Sequence, residues 1–156
     1  MSDRHKIIEE YGTAVRLDII KHFLGDLVSR GTARDVFVFN DEYVLKVENK
    51  ERSFQNVNEH RVWEEVKNTK WSKWFAPIQN ISPCGILVVQ RKVKPLESIN
   101  DLPSHIPNFF TDLKLSNYGW LDGEFVAIDY GLTLLDHVGL NKAKLVKVNK
   151  KNWRDY

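Results

Sequence analysis

Two runs of β-branched and aromatic residues, DVFVF (35–39) and YVLKV (43–47), stand three residues apart. Asn40-Asp41-Glu42 between them is a turn signal, so this stretch is committed to an antiparallel hairpin. A chain that opens its core with such a hairpin must cover at least one face of it with another element. Residues 53–68 offer that element. Glu59, Val62, Trp63 and Val66 recur at i, i+3, i+4 and i+7, one face of a helix that Ser53 is placed to cap. FAPIQNIS and GILVVQRKV then form a second strand pair around Ser82-Pro83-Cys84-Gly85. Lys94-Pro95-Leu96 closes it, because proline cannot donate to a ladder.

The flanking regions are less regular. Val15, Ile19, Ile20 and Phe23 predict a helix over 13–24, with Thr13 as cap and Gly25 as stop. Pro103 and Pro107 restrict their neighbourhood to short pieces. WLDGEFVAIDYG predicts a hairpin turning at Asp122-Gly123, and LTLLDHVG a helical turn or two. The expected class is α+β, a mostly antiparallel sheet with one or two helices followed by a smaller irregular part.

The 156 residues suggest one domain or two, and 42% apolar residues with five Trp exclude a disordered chain. The single cysteine, Cys84, excludes a disulfide framework and a cysteine-based zinc site, and the five scattered histidines form no H-x-x-x-H pair. No G-x-S-x-G elbow exists. The absence of an eighteen-residue apolar run and of a leader-like N-terminus predicts a cytoplasmic protein without a membrane partner. A net charge of +2 does not by itself point to nucleic acid. The basic end, LNKAKLVKVNKKNWRDY, reads first as a solvated tail and alternatively as a phosphate or partner contact. Trp71 and Trp74 beside Lys70 and Lys73 are core residues or an exposed binding face.

The chemistry-bearing residues are spread along these elements. Lys46 lies in the strand YVLKVE. Asp112, Lys114 and Asn117 lie in DLKLSN, and Asp129 follows the apolar strand FVAI in IDYG. In order and spacing, VLK, DLKLSN and DYG resemble the strand lysine, D-L-x-x-x-N loop and Asp-Phe-Gly turn of the protein-kinase-like superfamily. The resemblance spans roughly residues 31–131. It implies an antiparallel-sheet N-lobe with one main helix, over 31–93, and a strongly truncated C-lobe carrying the catalytic and metal loops, over 94–139. Residues 1–30 are then an N-terminal helical extension and 140–156 a basic C-terminal tail.

The roles follow from the resemblance. Lys46 would present a point charge to the ATP phosphates, held by a carboxylate on the neighbouring helix. Glu59 suits this by its inward face, with Glu64 and Glu65 as rivals. Asp112 would orient the acceptor hydroxyl as base, and Lys114 would approach the transferred phosphate. Asn117 and Asp129 would hold Mg²⁺. Gly31 is what remains of the glycine-rich loop, where Arg34 either adds charge or is a surface residue. Val89 would lie behind the adenine, with the backbone of Gln90 to Lys92 at the base edge. The implied activity is ATP- and Mg²⁺-dependent phosphoryl transfer, as a protein Ser/Thr kinase with an unidentified protein substrate. The alternative is a nucleotide-binding pseudokinase or inhibitor acting on a partner protein. Phe110 replaces the family's histidine two residues before the loop aspartate, and Ala-Pro-Glu and the helical substrate platform are missing. Such compression implies a viral or bacterial member, in the host cytoplasm if viral.

Overall fold

The computed structural model describes Asp18, His22 and residues 26–155. The helix expected over 13–24, with its Gly25 stop, lies outside the described residues apart from Asp18 and His22. The described residues divide into two units: those up to His60 with Pro77–Lys92, and Arg61–Ala76 with those from Val93 onward. The class is α+β, with antiparallel sheets and few helices.

The first unit is a five-stranded antiparallel sheet of order β1-β2-β3-β5-β4. Its strands are β1 (Leu27–Arg30), β2 (Arg34–Val38), β3 (Tyr43–Glu48), β4 (Ile78–Ile81) and β5 (Leu87–Arg91). The expected hairpin is β2–β3, and Asn40 shapes its turn by accepting from the N–H groups of Glu42 and Tyr43, both at 2.9 Å. The register decides which face each side chain takes. Phe37, Leu45 and Val89 form one cross-strand row and pack with Val47 and Leu87 in an apolar cluster. One residue along, the row Val36, Lys46 and Val88 points to the opposite face. Strand β1 was not expected; LVSR is short and fully exposed, so it carries no burial alternation to read.

Helix α1 spans Gln55–Val66, beginning in the first unit and ending in the second. The expected Ser53 cap is corrected. Ser53 Oγ donates instead to the Glu48 carboxylate, whose other oxygen accepts from the N–H of Asn56 at 2.8 Å. A strand residue thus serves the helix N-terminus, which needs an acceptor for its unpaired N–H groups. Gly85 turns β4 into β5 at φ +76, and a Cβ there would lie 2.4 Å from Val57 of α1.

The second unit holds β6 (Lys94–Pro95), β7 (His105–Pro107), β8 (Tyr118–Leu121), β9 (Glu124–Ala127), β10 (Leu145–Lys147) and the single turn α2 (Leu135–Val138). Its small sheets run β6-β8-β9 and β10-β7. Pro95 therefore sits on an edge strand, as a residue without an N–H must. The β8–β9 turn falls at Asp122 and Gly123, both with positive φ, as the sequence predicts.

Aromatic rings fill this unit. Phe75 meets Phe109, Phe110 and Tyr130 with centroids 5.7, 5.5 and 4.9 Å away. Of the two readings of Trp71 the core one holds: it is buried edge-on to Phe109 at 5.5 Å, where its ring completes this cluster. The basic tail keeps its lysines exposed, as the solvated reading expects, but it is docked and not a loose end. Its β10 pairs with β7, and Trp153 is buried with its ring 4.9 Å from Tyr118.

Candidate active site

The first unit builds a buried ionic cluster by strand alternation. Arg34 pairs with Glu48, Val36 with Lys46, and Val44 with Gln90, so Arg34, Lys46, Glu48 and Gln90 share one face of the sheet. Helix α1 lays Glu59 and Asn56 against these groups. Lys46 Nζ donates to Glu59 Oε1 at 2.5 Å, with 3% and 0% of the two side chains exposed. Arg34 Nη2 donates to Glu59 Oε2 at 2.9 Å, its Nη1 to Asn56 Oδ1 at 3.1 Å, and Gln90 Nε2 to Glu59 Oε1 at 3.3 Å. Asn56 in turn donates to the carbonyls of Ile86, at 2.7 Å, and Lys46, at 3.3 Å, tying α1 to the strand that carries the lysine.

Burial alone would raise the Glu59 carboxyl. The nearby Arg34 and Lys46 charges, with their hydrogen bonds, overcome that and hold it at about 2. Glu59 is thus a fixed anion that aims Lys46. The rival Glu64 instead pairs with Lys67 on the exposed side, at 2.7 Å. Arg34 is a buried residue of β2, which settles it as a partner of Glu59 and not a surface arginine.

The remaining predicted nucleotide residues lie in the same unit. Gly31 lies between β1 and β2; its N–H donates to the Arg34 carbonyl at 2.7 Å, and a Cβ would lie 2.9 Å from that oxygen. Val89 is buried in the apolar row opposite Leu45. Along the stretch expected at the base edge, Arg91 N–H donates to Pro77 O at 2.9 Å and Lys92 N–H to Glu42 O at 2.8 Å. A cavity of about 350 Å³ at the start of α1 is lined by Phe54, Val57, Cys84 and neighbours, and none of the predicted site residues lines it.

The second unit positions the predicted catalytic and metal residues on loops anchored by aromatics. Phe110, standing before the loop, is buried between Phe75, Phe109 and Tyr118. Tyr130 fixes the DYG turn by donating its hydroxyl to Ala76 O at 2.8 Å. Between these anchors, Asn117 Nδ2 donates to Asp112 Oδ2 at 2.9 Å and to Asp112 O at 3.2 Å. The Asn117 carbonyl accepts from Ile128 N–H at 2.7 Å and Asp129 N–H at 3.4 Å. Asp112, Asn117 and Asp129 are therefore neighbours although the chain separates them. Lys114 is half-buried, and its N–H donates to the Asp112 carbonyl at 2.9 Å.

Burial, and then the charges of Asp112 and Asp129, push the Tyr118 hydroxyl far above its ordinary value, so it stays protonated beside them. Arg154 was missed by sequence reasoning. Its Nη2 donates to Asp112 Oδ1 at 2.7 Å, and nothing local to a basic tail signals which acid it will reach.

Among the described residues, no group of three or more His, Cys, Asp or Glu is placed to hold a metal. The donor set nonetheless fits magnesium bound with a triphosphate, which takes one or two protein oxygens and completes its shell with phosphates and water. The exposed Asp129 carboxylate is an oxygen of this type. At Asn117 the Nδ2 is engaged with Asp112, so Oδ1 is the side-chain atom that would suit a cation.

No protein-family model matches this sequence, and no curated protein does. Among solved structures the chain is similar to the aminoglycoside phosphotransferase APH(2″)-IIa, solved as a ternary complex with streptomycin and ATP. The identity is 18% and the TM-score 0.41, over 60% of this chain and 33% of that one. The chain thus spans about a third of that protein's length.

Proposed function

We propose that this chain is an ATP-dependent phosphotransferase of reduced protein-kinase-like fold that phosphorylates a hydroxyl group. The observation that carries this reading is the buried Lys46–Glu59 pair. A lysine on a central strand, held by a helix carboxylate that stays ionised, is the arrangement that presents a fixed point charge to nucleotide phosphates. Lys46 would contact the ATP phosphates, with Gly31 and the β1–β2 loop beside them and Val89, Gln90 and Lys92 toward the base. Asn117 and Asp129 would hold Mg²⁺, which when bound neutralises charge on the phosphates.

Asp112 would accept the proton of the acceptor hydroxyl as that oxygen attacks the γ-phosphorus. The bond from the γ-phosphorus to the β–γ bridging oxygen breaks, and ADP leaves with the electron pair. Lys114 would face the transferred phosphoryl group. A protein Ser or Thr is the acceptor the motif resemblance implies. The compartment proposed for this activity is the cytoplasm, which suits a chain with one cysteine.

A second reading, a nucleotide-binding pseudokinase acting on a partner protein, draws on one observation. The N–H groups of Gly31 and Lys92 already donate within their own unit, where a phosphate and a base would compete for them. Incubation with γ-labelled ATP, Mg²⁺ and a panel of protein and small-molecule hydroxyls distinguishes the two. Transfer by the wild type that Lys46→Met and Asp129→Ala abolish is the expected result. Equal labelling by all three proteins would sink the proposal, and nucleotide binding without transfer would favour the second reading.

A further inference from the structure

Asp112 is held from both sides. Asn117 donates to Oδ2 at 2.9 Å and Arg154 to Oδ1 at 2.7 Å. Arg154 comes from the far end of the chain, yet its backbone is clamped to the same loop. Its N–H donates to Leu113 O at 2.9 Å, its carbonyl accepts from Leu115 N–H at 3.0 Å, and Lys114 and Arg154 form a parallel bridge. The preceding residue, Trp153, is buried with its ring 4.9 Å from Tyr118. The 3-10 turn Lys150–Asn152 leads into it, opened by Asn149 Oδ1, which accepts from Lys151 N–H at 3.1 Å.

This is more than an exposed ion pair. Pairs between freely moving surface side chains are weak because each must be ordered to form them. Here the backbones on both sides are already fixed, so the ordering cost falls mainly on the arginine's own rotamers. A carboxylate has about four lone-pair positions. Asn117 and Arg154 take one on each oxygen, which fixes the plane of the carboxylate and leaves an acceptor position on each. The arginine touches Oδ1 through Nη2, and 45% of its side chain is exposed.

We propose that Arg154 is a positioning residue, the C-terminal half of a clamp that sets the Asp112 carboxylate toward the acceptor hydroxyl. The inference rests on the phosphotransferase reading and deepens it: the basic C-terminal segment is part of the catalytic apparatus. It acts through Asp112 and not through ATP. Its loss therefore lowers kcat with little change in KM for ATP.

The test uses the full chain, Mg·ATP, and water as the acceptor, so that no unidentified substrate is needed. In the reaction water oxygen joins the γ-phosphorus, ADP departs with the bridging oxygen, and Asp112 takes the proton. Arg154→Ala is expected to lose about 10- to 100-fold in kcat, as a misplaced reacting group does, while KM for ATP stays within about twofold. Arg154→Lys should fall between the two. Added guanidinium should restore part of the activity of Arg154→Ala and none of Asp112→Asn, a rescue that a merely structural arginine would not show. Wild-type turnover with Arg154→Ala equal to it or faster would overturn the positioning role and leave the phosphotransferase reading intact. So would a loss that guanidinium fails to restore. Absence of turnover in the wild type would overturn both.

Discussion

The two units solve the problem of placing charge in opposite ways. In the first, the charged groups are buried and the sheet places them: alternation puts Arg34, Lys46 and Gln90 on one face, and α1 brings Glu59 to them. In the second, Asp112 and Asp129 are partly or fully exposed and sit on loops. Those loops owe their shape to rings packed beneath them, Phe110 and Tyr130 above all, and to backbone bonds that cross from one loop to the next. The lesson is that strand geometry can fix a buried ion pair directly, whereas an accessible acid has to be fixed at second hand.

The comparison breaks most readily in the first unit. Glu59→Ala leaves two buried cations facing each other without their shared anion, and should cost about 3–5 kcal/mol in denaturant unfolding. The acid dependence carries a sign. The folded carboxyl lies at about 2, below its ordinary 4.5. Its stabilisation is therefore complete above the ordinary value and lost as pH falls through that window toward 2. Wild type should weaken more steeply over this range than Glu59→Ala, and equal slopes would mean that Glu59 is not a buried anion.

In the second unit the largest effect should come from a ring with no charge at all. Phe75→Ala opens a cavity among Phe109, Phe110 and Tyr130 and should cost about 3–5 kcal/mol. The loops lie on these rings, so transfer activity should fall with it even in the fraction that remains folded. Asn117→Ala removes the two hydrogen bonds that its Nδ2 makes to Asp112 and should cost a smaller 1–3 kcal/mol, roughly, by thermal melting. At the bottom of the scale, Arg61 and Asp136 form a two-pronged pair at 2.8 Å in which both side chains are more than half exposed. Arg61→Ala should cost less than about 1 kcal/mol, and less still at high salt.

The same contrast explains what could be read from the sequence. The β-branched and aromatic runs DVFVF and YVLKV around a turn signal, and the helical face of Glu59, Val62 and Val66, reported the β2–β3 hairpin, the helix α1 and the burial of Glu59. Arg34 remained ambiguous, because whether a strand-end arginine turns inward depends on a carboxylate 25 residues away. The cap was misplaced because Glu48, the residue that supplies it, belongs to the preceding strand. In the second unit the β8–β9 hairpin and the turn α2 within LTLLDHVG carried local signals. The aromatic cluster joins residues from 71 to 153, and no periodicity predicts which rings will meet. DLKLSN and DYG could be matched as motifs, but the adjacency of Asn117 and Asp129 follows from backbone bonds invisible to the pattern. Arg154 is the extreme case, since it meets Asp112 across 42 positions of chain.

The central claim is that the acids of the second unit serve an ATP-dependent transfer. Titrating Mg²⁺ against ATP turnover, for wild type and Asp129→Asn, tests it most directly. The account expects wild-type turnover to saturate with Mg²⁺. In Asp129→Asn, where a neutral amide replaces the anionic oxygen, it expects a curve displaced to higher Mg²⁺ and lower in amplitude. Coincident curves, or no turnover by the wild type at any Mg²⁺ concentration, would contradict it.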